Sequence, residues 1–382
     1  MKMVLRAFLF LVGLYGFLAV PQNLHAADQD GYAAVRGPCN FVFPRDHGAH
    51  PNHRNEWWYY TGNLEDEQGR PFGFQFTVFR RRLAALGEYP TPELPSPWRT
   101  EQVYLGHAAV SDIADQRFLQ ADEAARGAVG LAGVDLSGNT VQVYLKNWQA
   151  VIAPQKHRIA ASGSSFSYAL ELTPQKPVIA HGEGGYSRKG RHPESASCYY
   201  SITRFAVQGE LIFGQSHHNV TGTAWMDREY SSENLEDDVS GWDWFSLHFV
   251  DGRDLMFFFL RRDDGSLSEA SSGTLVGSDG QAKKLTADDI QVEDLAFWTS
   301  PKSGARYPIR RRLVSPRLDM DVTITARLDD QEMRSERSTG VTYYEGSVIV
   351  EGRLGSQPAA GVGYLEMTGY DMKFGSREKL NR

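Results

Sequence analysis

From Trp57 onward, apolar and polar side chains take turns along the chain. Phe72, Phe74, Phe76 and Val78 are separated by Gly73, Gln75 and Thr77, and Val141, Val143 and Leu145 by Gln142 and Tyr144. Phe166, Tyr168, Leu170 and Leu172 repeat the pattern, as do Val322, Ile324, Ala326 and Leu328. A period of two is that of a strand with one buried face. Asp-Gly pairs at 251–252, 264–265 and 279–280 separate such runs and read as hairpin turns. Helical spacing fits only two short stretches, 119–128 and 288–298. The pattern therefore predicts a mostly β protein built of antiparallel strands.

The pattern also repeats. Glu56-Trp57-Trp58-Tyr59-Tyr60, followed by Phe74, Phe76 and Arg80-Arg81, returns as Gly241-Trp242-Asp243-Trp244-Phe245, Phe257, Phe259 and Arg261-Arg262. Tyr199-Tyr200, Gly209, Gly222, Trp225 and Asp227 return in the same order as Tyr343-Tyr344, Gly352, Gly361, Tyr364 and Glu366. Two ordered correspondences imply two homologous units, each of a size to close its edges as a small barrel around an interior cavity. The expected organisation is a leader over 1–26, an arm over 27–40, a first barrel over 41–232, an acidic linker over 233–240 and a second barrel over 241–375.

Candidate chemistry concentrates in VTGTAWMDREYSS at 220–232. On a strand, Trp225, Asp227 and Glu229 share one face and Met226, Arg228 and Tyr230 the other. In an apolar hollow, Asp227 would keep its proton and act as an acid, with Glu229 orienting water. Trp225 would offer its π face to a developing cation, a contribution of roughly 1–2 kcal/mol. The alternative is that both carboxylates serve the fold, paired with arginines that would hold them ionised. Glu56, beside Trp57 and Trp58, is a third candidate acid. Of the aromatic sets, Trp57, Trp58, Tyr60, Trp242 and Trp244 are the candidates for a ligand, the remainder being core.

Other motifs carry less. His47, His50 and His53 recur every third residue beside Asp46, but Gly48 and Pro51 keep them off a helix, and no metal site is expected. His181-Gly182-Glu183-Gly184-Gly185 lacks the strand-to-helix setting of a phosphate cradle, and no G-x-S-x-G motif marks a serine nucleophile. No cofactor is implied.

Lys2 and Arg6 precede an apolar run from Ala7 to Val20, broken by Pro21 and followed by Leu24-His25-Ala26. This reads as an export signal, too short for the roughly 20 residues of a spanning helix. The expected mature protein is periplasmic or secreted, with no membrane span. A formal charge of −7 gives it no general attraction for nucleic acid. In an oxidising compartment Cys39 and Cys198 are either a disulfide or two separate thiols, and the sequence leaves both open.

FPRDHGAHPNHRNEWWYYTGNL, HGEGGYSRKG, SCYYSITRFAVQG, VTGTAWMDREYS, GWDWFSLHF and GYLEMTGY together resemble the AttH-type, carotenoid 1,2-hydratase-like group over nearly the whole mature chain. The resemblance implies tandem lipocalin-like β-barrels and a hydrophobic, isoprenoid- or lipid-like small molecule as partner. It also implies relatives that hydrate isoprene double bonds or guide polyene cyclisation, and others associated with ABC-type export systems, for which a non-catalytic carrier is the competing role. Trp225 and Asp227 reproduce an aromatic and acid pair of the hydratase-like relatives. Where those relatives carry a His and a Trp upstream, this chain has Cys198 and Tyr200, which makes Tyr200 a further ligand candidate.

Overall fold

The computed structural model describes residues 31–373 except 86, 89–95 and 233–234. The expected leader and the start of the arm lie outside the described residues. The first unit comprises β1 (Asn55–Asp66), β2 (Pro71–Arg82), β3 (Gln102–Asp112), β4 (Arg117–Arg126), β5 (Ala132–Ser137) and β6 (Thr140–Leu145). It continues with β7 (Trp148–Ala153), β8 (Lys156–Ser162), β9 (Ser167–Pro174), β10 (Val178–Ala180), β11 (Tyr186–Arg188), β12 (Ala196–Phe213) and β13 (Ser216–Ser231). The second comprises β14 (Val239–Phe249), β15 (Asp254–Arg262), β16 (Ser272–Val276), β17 (Ala282–Thr286), β18 (Gln291–Thr299) and β19 (Arg306–Ser315). It closes with β20 (Met320–Ala326), β21 (Glu332–Arg334), β22 (Thr342–Leu354) and β23 (Gln357–Met367).

Each unit is one antiparallel sheet curled into a lipocalin-like barrel. The first runs β4-β3-β2-β1-β13-β12-β9-β8-β7-β6-β5, and the second β17-β16-β15-β14-β23-β22-β20-β19-β18. The internal repeat has a spatial meaning: β1 and β14 are corresponding strands, as are β13 and β23. A Cβ at Gly222 would come within 2.1 Å of the Asn63 carbonyl, and one at the repeated Gly361 within 2.0 Å of the His248 carbonyl. Both glycines let the matching strand pairs approach closely.

Two expectations need correction. The stretches expected as helices are strands: 119–128 falls largely in β4, and 288–298 is a 3₁₀ turn (Ala287–Asp289) leading into β18. Both strands lie at ends of their sheets, and most β4 residues are half-buried on either face, which blurs the period of two.

The barrel interiors are filled as well. Trp58, Tyr60, Phe72, Phe74, Phe76 and Val78 pack fully buried inside the first. Phe245, Phe257, Phe259 and Ile324 do so in the second. The expected ligand hollow inside the first barrel is occupied by its own aromatic core. A separate buried cluster of Tyr59, Tyr199, Trp225, Trp244, Phe258 and Tyr364 belongs to neither interior: it joins the outer faces of the two barrels.

The barrels dock through buried polar contacts. Asn63 donates to the Gly363 carbonyl at 2.9 Å, Ser111 to Gln331 at 2.6 Å, and Asp254 holds Arg204 at 2.5 Å and Lys176 at 2.7 Å. Cys39 and Cys198 form a disulfide, with Cα atoms 5.9 Å apart, and tie the arm to β12.

Candidate functional site

A cavity of about 820 Å³ lies between the barrels, walled by outward-facing residues of β1, β2, β3, β12 and β13 on one side and β14, β15, β22 and β23 on the other. Its volume falls within the range of small-molecule sites. Strand alternation decides what lines it. On β13, Asp227 and Glu229 face the cavity while Met226 and Arg228 enter the barrel core. On β1, Trp57 and Tyr59 face the cavity and Trp58 and Tyr60 point inward; Glu56 also borders the cavity, but its carboxyl is held by Arg80 and Arg228.

Asp227 is almost wholly buried and accepts three hydrogen bonds: Tyr199 Oη at 2.6 Å, Trp225 Nε1 at 2.6 Å, and the Ser201 hydroxyl. Burial raises its pKa to about 7, opposed by the Ser201, Tyr199 and Trp225 donors and aided by the negative Glu229. Below neutrality, then, Asp227 carries a proton at the cavity wall. Glu229, its neighbour on that face, accepts from Ser197 and lies 3.2 Å from the Lys189 ammonium. Lys189 itself sits 3.9 Å from the Phe258 ring centre and 4.9 Å from that of Tyr199.

Glu56 has the opposite environment. It is buried between Arg80 and Arg228, the latter at 2.5 Å, with His50 3.1 Å away. Burial alone would raise it, but Arg228 and Arg80 hold its carboxyl well below the usual range. It has no proton to give near neutrality and acts as the anchor of two buried cations.

The aromatic candidates divide by strand parity. Trp57, Trp242 and Trp244 line the cavity. Trp58, Tyr60 and Tyr200 lie inside the first barrel: Trp58 under the Arg228 guanidinium, Tyr60 3.0 Å from His157 Nδ1, Tyr200 bonded to His47 at 2.7 Å. Trp225 is fully buried behind Asp227, where it serves as a hydrogen-bond donor instead of presenting a ring face to a ligand. The three histidines that precede β1 diverge: His47 to Tyr200, His50 between Asp46 and Glu56, His53 against the Tyr230 ring.

Several residues at the site were not singled out for its chemistry by the sequence. His181, in the glycine-rich turn, bridges Ser201 at 2.6 Å and Thr274 at 2.9 Å, and burial lowers its pKa to about 3, so it is neutral. His107 of the first barrel and Tyr343 of the second are joined at 2.7 Å across the cavity's two walls. Glu345 and Glu366 face the same cavity from the second barrel. The repeat pointed to Glu366, but only the docking of the barrels shows that Glu366 and Asp227 share one space.

Two lipocalin-like barrels in tandem, docked with a buried carboxyl between them, define the class of β protein. Residues 34–370 match the AttH-like family model, and the chain belongs to that family. It is similar to an AttH-type protein from Nitrosomonas europaea, at 36% identity and a TM-score of 0.78 over 88% of this chain and 99% of that one. Kievitone hydratase from Nectria haematococca shares the fold at 14% identity and a TM-score of 0.65, over 90% of this chain and 98% of that one. CghA, solved with Sch210972, does so at 11% identity and a TM-score of 0.54, over 90% and 97%. A search of curated proteins finds no match.

Proposed function

We propose that this protein is an exported, cofactor-free acid catalyst that holds a hydrophobic, isoprenoid- or lipid-like molecule between its barrels and hydrates or cyclises it. The observation that carries the reading is Asp227, a buried carboxyl whose pKa of about 7 leaves it protonated beside aromatic walls. Protonating an alkene needs an acid held dry, and the carbocation formed needs electron-rich faces nearby. Trp57, Trp242 and Trp244 offer such faces, each worth about 1–2 kcal/mol to a desolvated cation. A hydratase among the proteins of like fold supports the same reaction class. Export is supported by the leader-like N-terminus and by the Cys39–Cys198 bridge, a bond that persists in oxidising compartments.

Incubation with prenyl-type alkenes in D₂O tests the reading by mass spectrometry. Wild type is expected to add deuterium at a former double-bond carbon. Asp227→Asn is expected to lower that rate by about 10²–10⁴-fold, the usual worth of a positioned acid, while still retaining the ligand. Undiminished turnover by the variant would refute the assignment. A co-purifying ligand that wild type releases chemically unchanged would make the protein a carrier instead.

A further inference from the structure

We infer that the cavity takes its ligand lengthwise and tail first. An alkene-bearing tail reaches the Asp227 end, and a neutral oxygen-bearing head, a hydroxyl or carbonyl, stays at the opposite end beside Arg81 and Asn55. The reacting end rests on the acid-catalytic reading above; the orientation of the ligand does not.

Cross-strand register arranges the first barrel's wall in three tiers. Thr77 of β2, Tyr59 of β1 and Asp227 of β13 stand directly opposite one another. Two residues along come Phe79, Trp57 and Glu229, and two further Arg81, Asn55 and Ser231. Residues two apart on a strand share a face, and all nine of these line the cavity. Four residues along an antiparallel strand place the Arg81 tier roughly 13–14 Å from the Asp227 tier.

The two ends of this series differ. In the Asp227 tier all three side chains are buried, and the barrels are bridged at that level. Tyr59 Oη donates to Glu345 at 2.8 Å, Trp244 Nε1 donates to Tyr199 Oη at 3.1 Å, and His107, opposite Thr77, lies 2.7 Å from Tyr343. These bridges make a floor. The middle tier brings half-buried Phe79 and Trp57 beside Glu229, which Lys189 holds. The second barrel matches it with Trp242 and Leu260, opposed on β14 and β15 and both on the cavity wall. In the last tier Arg81 and Asn55 are half-buried, and exposed Asp237 and Met372 border the same cavity. That end opens to solvent.

Each end selects a different chemistry. Rings along the tiers favour an apolar chain lying between floor and mouth. A guanidinium offers donors and no acceptor, so a head beside Arg81 must present oxygen lone pairs; the Asn55 amide can both give and take. The mouth also carries Glu236, Asp237 and Asp371, with Lys373 drawn to Asp263. Such mixed charge repels a polyanionic head and accommodates a neutral one. A prenyl chain as long as the tiers then brings the double bond farthest from its head against Asp227.

Prenyl alcohols, the corresponding hydrocarbons without the hydroxyl, and the corresponding diphosphates test the orientation with the full chain. Binding is read by quenching of tryptophan fluorescence, to which Trp57, Trp242 and Trp244 of the cavity contribute. Arg81→Ala and Asn55→Ala are each expected to weaken alcohol binding by up to about 10-fold, the usual worth of a hydrogen bond. Hydrocarbon binding is expected to stay as in wild type, which also shows that the variants are folded. Unweakened alcohol binding in both variants, or tighter binding of the diphosphate than of the alcohol by wild type, would overturn the placement of a neutral head. In D₂O, wild type is expected to add deuterium at the double bond farthest from the hydroxyl. Deuterium at the double bond next to the hydroxyl would overturn the tail-first orientation. A protein that turns over no alkene would refute the acid catalysis alone, because the binding measurements read the head without it.

Discussion

Asp227 and Glu56 are both buried carboxyls on one small barrel, and burial pushes both the same way. What separates them is the sign of the nearest charge. Arg228 and Arg80 overrule burial at Glu56, whereas Asp227 has only neutral donors and the negative Glu229 beside it. The consequence for stability has a definite sign. Asp227 ionises near 3.8 when unfolded and near 7 when folded, so the folded state binds the extra proton between those values. Stability from this group is fully present below about pH 4 and is lost as pH rises toward about 7. Asp227→Asn is therefore expected to flatten this part of the pH profile and to melt higher than wild type above neutrality. Melting curves of the two proteins across that window check it, and parallel profiles would contradict it.

At the scale of elements, β13 does most to shape the site, because its alternation sends an acid out and an arginine in. That face assignment was readable from VTGTAWMDREYSS alone, and so were the core faces of β2, β6, β9 and β20. The strands at sheet ends were not. β4 is half-buried on both faces and β18 is largely exposed, so their residues lack the alternation that identifies a strand. The arm is held by a different device, the bridge from Cys39 to β12 across a separation of 159 residues. Replacing both cysteines by serine is expected to cost about 2–5 kcal/mol in urea unfolding, in line with native disulfides that close long loops. An unchanged midpoint would mean that the arm is secured by packing alone.

For the whole molecule, the docking of the barrels creates the site. The described residues pack both interiors with aromatic and aliphatic side chains, and the acids of the two units meet because the outer faces of β1, β12 and β13 oppose those of β14, β22 and β23. Asp254 is central to that docking, buried and holding Thr203, Arg204 and Lys176 of the first barrel. Asp254→Asn leaves those cations with a neutral partner and is expected to destabilise the protein by roughly 3–5 kcal/mol. Denaturant unfolding followed at both barrels would report it, and a loss below about 1 kcal/mol would show that Asp254 is not central to the docking.

By itself the sequence determined the class of fold, its duplication, the side of β13 that bears the acids and membership of a recognisable family. These follow from local periodicity and from motifs kept in order, which a linear chain displays. Only the tertiary structure decided that the hollow lies between the barrels, that Glu56 is neutralised by arginines, that Ser201 and His181 stand behind Asp227, and that Glu345 and Glu366 line the same space. Those facts depend on which strands become neighbours and on how much water their docking excludes. Both are properties of distance in space, which spacing along the chain does not encode.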